Sequence, residues 1–302
     1  MWEVRSKITL TNDIFSSIRL KIPRDSCFKI NDCYYFGYNW DEFENYIIVK
    51  NCQEEVDKTK AYHNAIKNIQ MSNQILSFLY SYSIGVASDS TYKIVEVDKS
   101  EMVENLPKSN NIKRIVIFKE MFELIDVKDM RIFRKCVQFF SRSIELHYME
   151  LNEEAFLNVF KIIELISSIY SKGKLNKILT NNVKKHFDIL IKETFNEEYD
   201  KELHSYCYAN IEKNFTGLLN LKRKIKYFIE NEKLGSYVKP EEVDKIVKFR
   251  NSIIAHGNIN DEDDEELLNM FMVSLKLSRE FISACFFNKN YASIDLKINC
   301  AI

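Results

Sequence analysis

Residues 239–257 read KPEEVDKIVKFRNSIIAHG, and the stretch delimits itself as one helix. Pro240 suits the first helical turn, where its missing N–H would have no partner in any case. Glu241 and Glu242 place negative charge at the positive end of the helix dipole. Gly257 suits the left-handed position just past a helix end. The spacing therefore predicts a helix over Pro240–His256, with His256 as its last residue. Val243, Ile246, Val247, Ile253 and Ile254 fall at i, i+3, i+4 spacing, which marks an apolar stripe. Arg250 lies within that stripe.

A guanidinium there cannot sit in hydrocarbon, because an uncompensated buried charge costs several kcal/mol. Either a carboxylate such as Glu145 or Glu164 pairs with it, or the stripe faces a cleft or interface that a phosphate can enter. Taken alone, Arg250 reads as the first case, and His256 as a favourable contact with the negative helix end. Their combination points elsewhere.

Working outward, continuous helix is expected from about Val127. The candidate helices are 128–147, 152–171, 175–195, 197–213, 218–233, 240–256 and 263–288. Asn152 is expected as an N-cap followed by Glu153 and Glu154. In the last helix, Leu268, Phe271, Leu275, Ile282 and Phe286 form a face wide enough for burial on more than one side. Helices joined by short links predict an antiparallel bundle over 126–302.

The preceding part, 1–125, reads as a separate α+β domain. Strand candidates are 2–10, 18–22, 27–38, 46–50, 92–97 and 112–118, with a long helix over 54–82 and a turn at 107–111. No chemical motif stands out in it, and His63 sits among Lys60, Asn64 and Lys67 as on a solvated helix face. A role as sensor or specificity module is the expectation.

Composition bounds the reading. Hydrophobic residues are 46% and aromatics 13% of the 302, a globular balance. Six glycines and three prolines leave few breaks, which favours long helices. Net charge is −1, so affinity for nucleic acid must come from local patches. The start, MWEVRSKITLTND, has no apolar core of a signal peptide, and no run approaches the roughly 20 apolar residues of a membrane helix. The seven cysteines, at 27, 33, 52, 136, 207, 285 and 300, form no metal-binding spacing. Reduced thiols, no metal, no cofactor, no membrane association and a cytoplasmic location are expected.

The octet RNSIIAHG at 250–257, late in a helical region and followed by a polar loop and a long terminal helix, resembles the signature of the HEPN superfamily. Arg and His are separated by five residues, Asn251 follows the Arg, and Gly257 follows the His. The resemblance covers roughly 127–288 and is nearest the Apea-like branch of abortive-infection proteins. It implies a HEPN-type bundle acting as an endoribonuclease, a toxin or antiviral effector in phage defence. Cleavage would proceed without a metal, by 2′-OH attack on the adjacent phosphate, and no cluster of acidic Mg²⁺ ligands stands out in the sequence. Histidine suits proton transfer near neutral pH, and a guanidinium suits the developing phosphorane charge. Arg250 and His256 are thus the candidate catalytic pair, with Asn251 orienting phosphate or imidazole.

On an ideal helix six positions separate the pair by about 9 Å along the axis and about 120° around it. A two-fold homodimer could bring two copies of each around one phosphate, as the resemblance implies. Lys222, Arg223, Lys224 and Lys226, with Lys184, Lys185 and His186, are candidate grips for an RNA backbone, and Tyr206, Tyr208 and Tyr227 are candidate stacking groups. Partners expected are RNA, tRNA among the substrates, a second copy, and an antitoxin or phage-derived trigger. Two other readings stand beside this one: a catalytically silent HEPN module that binds RNA or a protein, and a helical adaptor in which Arg250 is a satisfied ion.

Overall fold

The computed structural model describes residues 1–10, 26–36, 46–80, 84–86, 92–98, 108–109, 122–123, 125–171, 181–189, 202, 205–207, 209–210, 220–232, 234, 238–256 and 264–287. The strand expected at 18–22 and that at 112–118 lie outside them, as do most of the helices expected at 175–195 and 197–213.

The first part is a seven-stranded sheet with one long helix. Its strands are β1 (Trp2–Leu10), β2 (Ser26–Ile30), β3 (Cys33–Phe36), β4 (Tyr46–Gln53), β5 (Ile84–Val86), β6 (Lys93–Glu96) and β7 (Lys108–Ser109). The order is β5-β1-β4-β3-β2-β7, with β6 also paired to β1. All pairings are antiparallel except β2 with β7. Of the turn expected at 107–111, Lys108 and Ser109 are among the described residues and make a short parallel bridge to β2. Asn31 and Asp32 join β2 to β3 with φ of 45° and 62°. Positive φ at both centres is what a two-residue hairpin matching the strand twist requires, and Asn and Asp tolerate it best after Gly.

Helix α1 (Lys58–Tyr80) covers one face of this sheet. Ala61, Ala65, Ile69, Ser72 and Leu76 recur every three or four positions and are buried. Val4, Ile8 and Val49 meet them from the sheet and are fully buried. Two polar groups buried in this layer are matched: Tyr35 Oη donates to Asn73 Oδ1 at 2.9 Å, and Ser72 Oγ to the Ile30 carbonyl at 3.2 Å. Satisfaction of this kind removes the 1–3 kcal/mol that an orphaned buried polar group costs, to order of magnitude (about).

The remainder is mostly helical: α2 (Val127–Tyr148), α3 (Asn152–Tyr170), a helical stretch at 181–189, α4 (Leu221–Asn231), α5 (Pro240–His256) and α6 (Asp264–Phe287). Helix α2 ends in a Schellman turn. The Leu151 N–H bonds the Leu146 carbonyl, the Glu150 N–H bonds that of His147, and Glu150 adopts φ 62°. Asn152 proves to be the first helical residue of α3 rather than its cap. The Ala155 N–H bonds the Leu151 carbonyl, and the Asn152 side chain meets His147 Nδ1 at 2.8 Å. In α6 the expected face holds for Phe271, Leu275 and Ile282, but Leu268 is exposed and its neighbour Leu267 is buried instead. Buried residues ring most of α6, including Ser274, Ser278 and Ser283.

The chain forms two compact units, Met1–Val159 with Ile282–Ile302, and Phe160–Phe281. Helix α2 begins at Val127, and the unit holding the sheet takes in α2, the start of α3 and the end of α6. Among the described residues no helix is long and apolar enough to cross a membrane.

Candidate functional site

Helix α5 carries the site, and its boundaries follow from local chemistry. Lys239 stands at the N-cap. Its N–H is accepted by Glu242 Oε2 at 2.7 Å, the return half of a capping box, and its carbonyl takes the N–H groups of Glu242 and Val243. Pro240 follows as the first helical residue and His256 is the last, as the sequence predicts. Val243, Ile246 and Ile253 are buried, so the apolar stripe is real.

Arg250 lies in that stripe without being engulfed, its side chain 26% exposed. Its guanidinium carbon stands 5.5 Å from the centre of the Phe160 ring on α3. One turn further along α3, Glu164 Oε2 lies 3.6 Å from Arg250 Nη2. Arg250 Nη1 donates to Asn251 Oδ1 at 3.2 Å. The group is held on three sides by an aromatic face, a carboxylate and an amide oxygen. Of the two carboxylates named as partners from the sequence, Glu164 is the one in contact. Glu145 pairs with Arg142 on its own helix at 2.8 Å.

This arrangement suits an oxyanion. A guanidinium has five N–H donors in a plane, and one loose ion pair and one amide contact engage only some of them. The Glu164 contact is longer than the 2.7–2.9 Å, roughly, of a charge-assisted hydrogen bond. At such a distance, with Glu164 itself 41% exposed, the carboxylate is a weak competitor for a phosphate. Asn251 is exposed beside it. The backbone of His256 ends α5 six positions beyond Arg250, and its side chain lies outside the described residues. Phe160 is a site residue that the sequence does not single out. Its signal was its place on α3 one turn before Glu164.

The basic cluster on α4 is partly committed elsewhere. Lys222 Nζ lies 2.8 Å from Asp244 Oδ2, and Lys226 Nζ lies 2.7 Å from Asp244 Oδ1. The hydrogen bond from Lys222, then that from Lys226, holds the Asp244 carboxyl below the usual range. Two of the four candidate RNA grips on α4 thus clasp it to α5 through one aspartate. Arg223 is exposed and Lys224 half-buried, while Asn220 caps α4 by accepting from the Arg223 N–H at 2.9 Å. Lys185 and His186 are exposed on the helical stretch 181–189, with Lys184 half-buried. Tyr206 is exposed, Tyr227 packs 6.1 Å from the Tyr170 ring, and Tyr208 lies outside the described residues.

No protein-family model, no curated protein and no solved structure matches this chain.

Proposed function

We propose that the helical part of this chain is a HEPN-type bundle acting as a metal-independent endoribonuclease, an abortive-infection or toxin effector. The observation that carries this reading is Arg250. It is a half-exposed guanidinium on an otherwise apolar helix stripe, cradled by Phe160, Asn251 and Glu164, six residues before a histidine that ends the same helix. In the proposed reaction the 2′-OH of one nucleotide attacks the adjacent phosphorus and the 5′-oxygen of the next nucleotide leaves. His256 handles the proton, and Arg250 steadies the charge that develops on the phosphorane. A second copy of the chain, related by a two-fold axis passing near α5, would complete the site with its own pair. The N-terminal α+β part would then select the RNA or receive the trigger, and a phage-derived trigger or an antitoxin would set when the enzyme acts.

The test is incubation of the purified chain with total RNA and with tRNA in EDTA, followed by mapping of the ends. Products ending in 2′,3′-cyclic or 3′-phosphate are expected. Strict dependence on Mg²⁺ with 3′-hydroxyl ends would overturn the mechanism.

A second reading draws on the Glu164 contact itself. A carboxylate beside Arg250 is what a catalytically silent HEPN module, binding RNA or a protein, or a helical adaptor with a satisfied ion would contain. The exposure of both partners favours the first reading, because it leaves the guanidinium within reach of a phosphate that can compete with Glu164.

A further inference from the structure

The face of the sheet turned away from α1 carries a row of cations that the cleavage reading does not use. Directly opposed residues on neighbouring strands share a face. The registers pair Lys93 with Arg5, Arg5 with Lys50, Lys50 with Tyr34, and Tyr34 with Lys29. These five residues therefore form one line across β6, β1, β4, β3 and β2, spanning about 19 Å at the usual strand spacing. Four are cations and the fifth is a half-exposed tyrosine. The alternate positions of β1, Val4, Ser6 and Ile8, are buried on the α1 side, which fixes the sidedness.

Like charges directly opposed across strands destabilise a sheet. Two such oppositions occur here, Arg5 with Lys93 and Arg5 with Lys50. Glu3, buried on the same face, ion-pairs with Arg5 and reaches Lys50 at 3.8 Å, and Asp32 pairs with Lys29 at 2.9 Å. Among the described residues, two carboxylates against four cations leave the row with an excess of two positive charges. Lys93 is exposed and has no ion pair among the described residues. Two of the ammonium groups also sit over aromatic rings: Lys29 Nζ lies 5.4 Å from the centre of Tyr34, and Lys50 Nζ 4.8 Å from that of Phe36.

We propose that this row is a binding platform for single-stranded RNA, its cations following the phosphates and Tyr34 stacking a base. The charge alone would suit any polyanion. The tyrosine set in the middle of the row favours RNA over an acidic protein, since base stacking on an aromatic ring is the complement to backbone charge in single-strand recognition. The platform gives the N-terminal part a ligand of stated chemistry, and it does not rest on the cleavage reading.

The experiment uses the full chain in EDTA and a fluorescein-labelled 2′-O-methyl 12-mer of uridine. That probe lacks the attacking 2′-OH, so binding is read whether or not the protein cleaves. Anisotropy is followed from about 50 to 200 mM salt, where the slope of log affinity against log salt is about −0.7 per phosphate contact. The combined Lys29→Gln, Lys93→Gln variant is expected to flatten that slope by about 1.4 and to weaken binding. Tyr34→Leu is expected to weaken it about fivefold or more. Should the double variant fold poorly by thermal melt, Lys93→Gln alone, at an exposed position, carries the test with half the slope change. Absent binding, or a slope unchanged by the lysine variants, overturns the proposal. Tyr34→Leu without effect, together with a polyglutamate peptide of equal charge competing as well as the oligonucleotide, assigns the row to an acidic protein and overturns the RNA platform.

Discussion

Glu164 Oε2 lies 3.6 Å from Arg250 Nη2, one turn of α3 beyond the Phe160 ring that underlies the same guanidinium. The pair is open to water on both sides, and this decides how Arg250 should behave when it is removed. A fully buried ion pair broken from one side costs about 3–5 kcal/mol. A partly exposed one contributes about 0–1 kcal/mol, and a cation–π contact at such a site about 0.5–1.

Arg250→Ala is accordingly expected to cost no more than about 2 kcal/mol of stability. RNA cleavage should fall about 10²–10³-fold, the scale of losing one oxyanion donor. Thermal melts beside the RNase assay separate the readings. A collapse in melting temperature, with normal specific activity in the folded remainder, would remove Arg250 from catalysis. Glu164→Gln should shift stability by less than about 1 kcal/mol, since it deletes only the exposed ion pair.

His256→Ala should reduce cleavage about 10²–10⁴-fold, the usual range of general acid–base catalysis, without altering affinity for the uncleavable oligonucleotide. Equal cleavage by the variant and the parent protein would leave His256 with no chemical part.

The α4–α5 clasp predicts a pH dependence. Lys222 and Lys226 hold the Asp244 carboxyl below its ordinary value, so the unfolded chain binds its proton more readily than the folded one. The stabilisation is therefore present above the unfolded value of about 3.9 and fades as pH drops through the lower folded value. Asp244→Asn should lower the melting temperature at neutral pH, and the gap to the parent protein should close towards pH 3 (about). A gap that stays constant down to that pH would show that the clasp acts through shape alone.

Glu150 occupies the left-handed position of the α2 Schellman turn, where a side chain is a cost. Glu150→Gly should stabilise the chain by about 0.5–1 kcal/mol, with a rise in melting temperature of about 1–2 °C. Urea denaturation measures it directly, and a loss of stability would mean that Glu150 makes a contact outweighing its strain.

The proposed two-fold site predicts a dimer. Sedimentation at micromolar concentration should give twice the 35.8 kDa chain mass. A monomer, both free and with RNA bound, would leave Arg250 and His256 of one α5 without the second pair.

Local chemistry alone determined the helix that bears the site. Pro240, Glu241, Glu242 and the apolar repeat set its start, its buried side and its end at His256, because capping and periodicity act within one element. The same holds for β1, matched over Trp2–Leu10, and for the start of α2 at Val127. Choices among partners distant in sequence were decided only by the tertiary structure. The sequence offered Glu145 and Glu164 equally to Arg250, and packing gave it Glu164 with Phe160 beneath. The sequence grouped Lys222 and Lys226 with an RNA grip, and packing turned both onto Asp244. No local pattern foretold that Lys93, Arg5, Lys50, Tyr34 and Lys29 would fall in one row, since strand register is a relation between segments up to 88 positions apart, from Arg5 to Lys93. Helical pattern is written in neighbours three and four residues away, whereas charge pairing and register depend on which surfaces the burial of apolar groups brings together.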